Sequence, residues 1–510
     1  MNIVKPIGPL NEGASFAVDE HIWGHRLYDE QLPHLAVLEF LNVLQSNLEA
    51  PLTEEPNARV SYQPQRQLTL RSLLFNNPFV EVIRARQIAD ETKWSQWIDL
   101  FQPDATEMAS LKFDHLRPAF MTFDDFARSI ELLRSSAFEG QSNKRWSSKF
   151  VFPFGPDALY EDLRIDAKDN ASNDRRFFAR TGELLYLMLC RAKNSQALGH
   201  QLVDRLFNNP SRLNQLVRAL QGPVQLAPNR RDVGYLPYAE LPRFDRLCDD
   251  WLAALSRDIP IYDALDHLIT MTGLNLLLYF LECGKRTIGD VEPVEFVCEV
   301  ISRKRTKVRA ISGDSFQANQ AVSLQAVRAH IESVRADPNW ETALKSDDPK
   351  GDCAKIMAER FQYTRDDNVE IDQLSGEGLI EQLIKNAESR HSEHIGNIHN
   401  AWSRSIGLSS RRLSRKLRYA PSDRLLKALV VTVVDERMEF SEFLDEIYRR
   451  YGLVVGHIEG AKYIQSNIVD LEALMDNAAN LEARLFGLGL VHRLSDSCAF
   501  VENPFKRGRK

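Results

Sequence analysis

"LITMTGLNLLLYFLEC", Leu268 to Cys283, is the stretch whose reading decides the fold. It is the most apolar run in the chain, and it falls short of the ~20 residues that cross a bilayer. It also carries Thr270, Thr272, Asn275 and Glu282, which lipid would leave without partners. A buried helix at the centre of a helical protein accounts for both features. The upstream residues "YDALDH" extend the helical spacing, and Gly284 offers a natural stop.

Outward from this helix, most segments repeat the helical period. "PHLAVLEFLNVLQSNL" places Pro33 at a first helical position and is apolar on nearly every face, as a second core helix would be. "FDDFARSIELLRSSA", "GELLYLMLCRA", "LGHQLVDRLFNN" and "FDRLCDDWLAALSR" follow the same pattern. Strand signals are few. "KFVFPFG" is short, and "VEFVCEVISRKRTKVRAI" (294–311) is the best strand pair, rich in β-branched residues. "QGPVQLAPNRRDVGYLP" and "ADPNWETALKSDDPKGD" read as surface loops. "LFNNP" occurs twice, at Leu74–Pro78 and Leu206–Pro210, as two similar helix ends.

The expected class is therefore mainly α: a multi-domain helical protein with a small β element in the middle and a C-terminal winged helix. The expected segments are an N-terminal helical domain (1–150), a central helical core with the β element (151–335), a helical connector (336–404) and the winged helix (405–510). With 510 residues the chain is too long for one ordinary core. Hydrophobic residues are 44% and charged residues 26%, a globular composition. The net charge of −7 confines any contact with nucleic acid to a local basic patch. The start, "MNIVKPIGPLNEGASF", lacks a signal-peptide pattern, and the six scattered cysteines form no CxxC pair. Both point to a reducing cytoplasm without membrane contact.

Three clusters are candidates for chemistry. "DEHIWGHRLYDEQLPH" (19–34) would set His21 and His25 on one helical face with Asp29 a turn further, a geometry that a divalent metal accepts. Gly24 and Pro33 shorten that helix, and Trp23, Leu27 and Tyr28 supply apolar surface. The same residues therefore read better as a packing element, with Arg26 and Glu39 forming an ionic seam. "HSEHIGNIH" offers His391, His394 and His399 in polar surroundings, which favours solvated histidines. In "SNDRRFFARTGELLYLML", Arg175, Arg176 and Arg180 precede an apolar helix, where they would bind an anion or pair with the acidic "YEDLRIDAKD" upstream. No phosphate loop, GxGxxG or GxSxG pattern occurs, and Glu299 is followed by Ile301 where a D…ExK nuclease needs Lys. No cofactor is expected.

The last hundred residues are the most specific. Arg411, Arg412, Arg415, Lys416 and Arg418 crowd into eight positions. Ser422 then caps a helix, "RMEF" forms a short strand, Ser441 caps a second helix that stops at Gly452, and "DLEALMDNAANLEARLFGLG" gives a third. "LVHRLSDSCAFVENPF" closes as a β-hairpin around Ser-Asp-Ser. Three helices, a strand and a terminal hairpin resemble the winged helix-turn-helix family over about the last ninety residues. That resemblance implies a third helix in the DNA major groove and a wing on the backbone. Glu472, Asp476 and Glu482 on the third helix depart from a DNA reader. Phosphate contacts would then fall to Arg411, Arg412, Arg415, Lys416 and Arg418, with Arg484, His492, Arg493, Lys506 and Arg507, or the unit would dock a protein.

The whole chain also resembles bacterial proteins encoded beside helicases, ATPases and methyltransferases in anti-phage defence loci. The resemblance lies in "HIWGHRLYDEQ", "NDRRFFARTGELLYLML" and "RLSDSCAFVENPF". It implies an accessory or adaptor subunit of a DNA-acting complex with helicase, ATPase or nuclease partners, and it transfers no catalytic residue. The alternative is a metal-dependent nuclease or hydrolase at His21, His25 and Asp29.

Overall fold

A computed structural model describes residues 14–54, 60–63, 65–66, 70, 73–74, 77–101, 113–136, 155–159, 163–165, 171–173, 179–208, 211–221, 225–226, 229–301, 307–366, 369–412, 416–495 and 498–505. They are mostly helical, as the periodicity predicts. The opening stretch lies within a helix from Ile261 to Thr287, longer than its apolar run. By length and composition this helix could cross a membrane, but 89% of its most apolar window is buried inside the protein.

Its polar groups explain why. Asn275 Nδ2 donates to Asp250 Oδ2 at 2.8 Å, and Thr272 Oγ1 accepts from Trp251 Nε1 at 3.0 Å. Glu282 pairs with Arg243 at 2.6 Å. Each partner lies on the helix Pro242–Leu255, so the polar residues specify a protein neighbour.

This central helix is the axle of the fold. Helices Pro33–Gln45, Lys307–Glu332, Ile395–Ser405 and Asp423–Val433 also pack on it. Gly273 lets Ile406 and Pro33 approach, and a Cβ on Gly284 would lie 2.7 Å from Val322 Cγ1. Gly284 is thus a close-packing residue and does not end the helix, which runs three residues further. One hydrophobic core runs from Val18 to Val501, and a second, rich in Trp and Phe, lies between Leu70 and Leu220.

Two expectations need correction. The strand pair over 294–311 reduces to Phe296–Val297, which pairs parallel with Leu453–Val454. From Lys307 the chain is helical, with Val308 and Ile311 buried one turn apart. Burial, not sheet formation, selected the β-branched residues there. The loop expected over 336–352 holds helices Pro338–Leu344 and Pro349–Phe361. Asp337 and Asp348 accept backbone N–H groups as caps, and each following Pro takes the first helical position.

The C-terminal segment has its own order. Helix Asp423–Val433, capped by Ser422, is followed by strand Arg437–Glu439 and helix Phe440–Tyr451. That second helix begins before Ser441, and it stops at Gly452 with φ +70°. Short elements lead to helix Leu471–Gly487 and the strands Val491–Ser495 and Cys498–Glu502. The three strands are antiparallel, with the last in the middle, Met438 and Val491 both facing Val501. Asn503 Nδ2 donates to Val434 O at 2.8 Å and ties the sheet to the first helix.

Candidate functional site

The N-terminal cluster is a packing seam. Helix Ala14–Trp23 ends at Gly24, whose φ of +84° and close contacts with Tyr235 and Pro237 turn the chain away. His21 and His25 therefore do not share a helical face. His21 Nδ1 lies 3.3 Å from His330 Nε2, His25 Nε2 bonds Ala179 O, and Asp29 meets His394 Nδ1 at 3.1 Å. The three groups face three different partners, and among the described residues no His, Cys, Asp or Glu set has metal-holding geometry. Burial pushes the His25 imidazole down to about 3 and the Asp19 carboxyl up to about 8.

Arg26 and Glu39, expected as an ionic seam, each meet other groups among the described residues. Arg26 reaches Glu393 at 3.8 Å. Glu39 accepts from Gln31 Nε2 (2.8 Å), Arg180 N (3.0 Å) and Gly182 N (2.7 Å), which places it at the amino end of helix Thr181–Cys190. Burial and the neighbouring Glu183 raise its pKa. Arg180, in left-handed backbone with φ +71°, pairs with Glu183 at 2.8 Å, and Tyr62 and Gly234 also donate to Glu183. Arg180 is thereby occupied in the seam, while Arg175 and Arg176 lie outside the described residues.

The second histidine cluster is also internal. His394 breaks the chain between helices Gly376–Glu393 and Ile395–Ser405. His391 bonds Ser323 at 2.9 Å and His399 bonds Tyr419 Oη at 2.7 Å; burial lowers them to about 4 and about 3. Two of the expected solvated histidines, His391 and His399, are instead buried, because Leu379, Leu383, Ile398 and Trp402 turn the same faces inward, while His394 is half-buried.

The basic run is built differently. Ser409–Ser410 pairs with Arg418–Tyr419 in an antiparallel hairpin, which projects Arg411, Arg412 and Lys416 to solvent. Arg418 points inward with its side chain 1% exposed, ion-paired with Glu299. The other oxygen of Glu299 takes Arg309 at 2.7 Å. Arg418 Nη2 donates to Arg412 O at 2.7 Å and braces the loop. Its Nη1 is buried without a hydrogen-bond partner among the described residues. Of the expected phosphate contacts, Arg418 is therefore a foundation. Lys307, which pairs with Asp470 at 2.8 Å, and Arg309 lie in "SRKRTKVR", a segment that reads as strand but holds five cations between Arg303 and Arg309. Arg415, Lys506 and Arg507 lie outside the described residues.

The remaining expected cations sit on the third helix and hairpin, each beside a carboxylate. Arg484 pairs with Asp423 (2.7 Å), Arg493 with Glu482 (2.6 Å) and His492 with Glu502 (3.5 Å). They do not join the basic hairpin in one cluster of contacts. The outer face of helix Leu471–Gly487 instead presents Leu471, Met475 and Phe486 (49%, 50% and 59% exposed), with exposed Ala479 and Ala483 between them. This spacing makes one continuous apolar stripe, bordered by exposed Glu472 and Asp476. Leu494 of the hairpin is also exposed.

Residues 292–501 match the family model for methylation-associated defense system protein MAD7. The match covers less than half of the chain and supports the resemblance to anti-phage defence proteins, marking this part as similar to a defence-system component. It contains Glu299, the basic hairpin and the striped helix, and it excludes the N-terminal seam. No curated protein and no solved structure matches the chain.

Proposed function

We propose that the chain is a non-enzymatic accessory subunit of a DNA-acting defence complex in the cytoplasm, and that its C-terminal unit is a winged helix that docks a motor or nuclease subunit. The helix–strand–helix–helix–hairpin order, with the last strand central in a three-stranded antiparallel sheet, supports the winged-helix reading. One observation carries the docking reading: the third helix offers an apolar stripe edged with carboxylates where a DNA reader needs cations. The partner surface that fits is an apolar ridge flanked by Lys or Arg. Cys190, Cys248, Cys283, Cys298 and Cys353 are free thiols, in keeping with a reducing compartment.

The test is co-expression of the tagged full-length chain with the other proteins of its defence system. Met475→Glu with Phe486→Glu, both on an exposed face, should abolish co-purification of the partner while the helical circular dichroism stays unchanged. Undiminished co-purification would overturn the docking face.

A further inference from the structure

We propose that the partner element seated on helix Leu471–Gly487 is a single amphipathic α-helix of about four turns, lying antiparallel to it with Lys or Arg near its own carboxyl end. This rests on the docking reading above and adds the partner's secondary structure, direction and charge. The apolar stripe follows the helix axis from Leu471 through Met475, Ala479 and Ala483 to Phe486, all exposed. At the helical rise it is about 22 Å long.

Shape selects a helix. Ala479 and Ala483 leave a trough between the bulkier Met475 and Phe486, where the side-chain ridge of a second helix can seat. The backbone groups of helix Leu471–Gly487 bond within the helix, so a strand laid on this face would find no ladder to join. The face is also firmly held. Leu474, Leu481 and Leu485 are buried on the side away from the stripe, and Val469, just before the helix, is buried in one small cluster with Leu474. Asn477 Nδ2 donates to Cys298 O and Val455 O, both at 2.9 Å.

Charge selects the direction. Glu472 and Asp476 stand one position on from Leu471 and Met475, so both line the same edge of the stripe, in its amino-terminal half. Both are exposed, and neither carboxylate is ion-paired among the described residues. Two cations a turn apart on a facing helix would meet them. A helix favours Lys and Arg in its last turn, which sets the partner's carboxyl end over the amino end of Leu471–Gly487. The two helix dipoles then run in opposite senses and attract. A second copy of the same helix would bring one cation, Arg484, which Asp423 already holds.

The experiment places the photo-crosslinking residue p-benzoylphenylalanine singly at Met475 and at Phe486 of the full-length chain, co-expressed with the other proteins of its defence system. Cross-linked peptides are then mapped by mass spectrometry. Both positions should reach the same partner chain, at sites about 11 residues apart in one helical segment. The site reached from Phe486 should come first in the partner's sequence, and Lys or Arg should border the site reached from Met475. Glu472→Lys with Asp476→Lys should lower the partner recovered by about tenfold or more, while Glu472→Asp with Asp476→Glu should keep it. Sites in parallel order, in two separate segments, in a strand or in a second copy of this chain would overturn the proposal and leave the docking face standing. Full recovery with the charge-reversed pair would overturn the acidic edge and the direction it sets. No cross-link from either position would overturn the docking reading itself.

Discussion

Glu39 and Glu299 are both almost fully buried carboxylates, yet the protein holds them in opposite ways. Glu39 is surrounded by neutral donors: two backbone amides and the Gln31 carboxamide. Glu183 beside it makes ionisation costlier still. Glu299 faces two guanidiniums, and Arg418 Nη1 has no hydrogen-bond partner among the described residues. The N-terminal seam meets its carboxylate with internal donors, so its many polar residues describe packing. The C-terminal hub instead gathers two guanidiniums on one carboxylate beneath an exposed loop. Polarity alone separates nothing here; whether the carboxylate meets neutral or charged donors does.

The largest effect should come from the hub. Glu299→Gln takes the paired carboxylate from the buried Arg418 guanidinium, and a loss of about 3–5 kcal/mol is expected in urea denaturation. Glu299→Met with Arg418→Met should recover part of that loss, because removing both ends of a buried pair spares the uncompensated charge. A loss under about 1 kcal/mol for Glu299→Gln would place the pair in solvent and break the comparison.

The seam should yield less. Glu39→Gln turns an amide N–H2 toward donors that need an acceptor, for a loss of about 2 kcal/mol in the same assay, with no cation stranded. If Glu39→Gln proved costlier than Glu299→Gln, the seam would be the region under electrostatic load and the contrast would reverse.

What the sequence made legible follows from the range of the forces involved. The core helices were readable because apolar spacing and caps are local: Pro33 and Ser422 stand where their chemistry requires. The 336–352 helices were also local, since Asp337-Pro338 and Asp348-Pro349 are cap-and-start signals hidden by a polar composition. The site was not local. Glu299 meets Arg418 across 119 positions, and Asp29 meets His394 across 365. His21 and His25 looked like a pair only if the helix continued through Gly24, and the contacts that stop it come from Tyr235 and Pro237. Long-range partners decide which polar residues remain available, and spacing cannot supply them.

The smallest effect is a slope, and it tests what the two regions share. His25 in the seam and His399 beside the hub are both held near 3 by burial, with His330 also near 3 and His391 near 4. Native imidazoles stay neutral while unfolded ones take up protons below about 6.5, so stability is lost as pH falls from there toward 4. Each histidine contributes up to about 1.4 kcal/mol per pH unit. Asp19 acts in the other sense, together with Glu39 and Asp250, which burial also raises. Its carboxyl is raised from 3.8 to about 8, so its contribution is full at low pH and is lost as pH rises through that range. Four histidines outweigh these carboxyls in the acid window, and above about 6.5 the Asp19 loss continues without them. Stability should therefore peak between pH 6 and 7, roughly where the histidine terms end. Asp19→Asn should flatten the alkaline limb by about 1 kcal/mol per pH unit and leave the acid limb in place. Urea midpoints at pH 5, 6.5 and 8 measure both limbs. An alkaline limb unchanged by Asp19→Asn would mean that Asp19 is ionised in the folded protein, and that the seam carries a charge as the hub does.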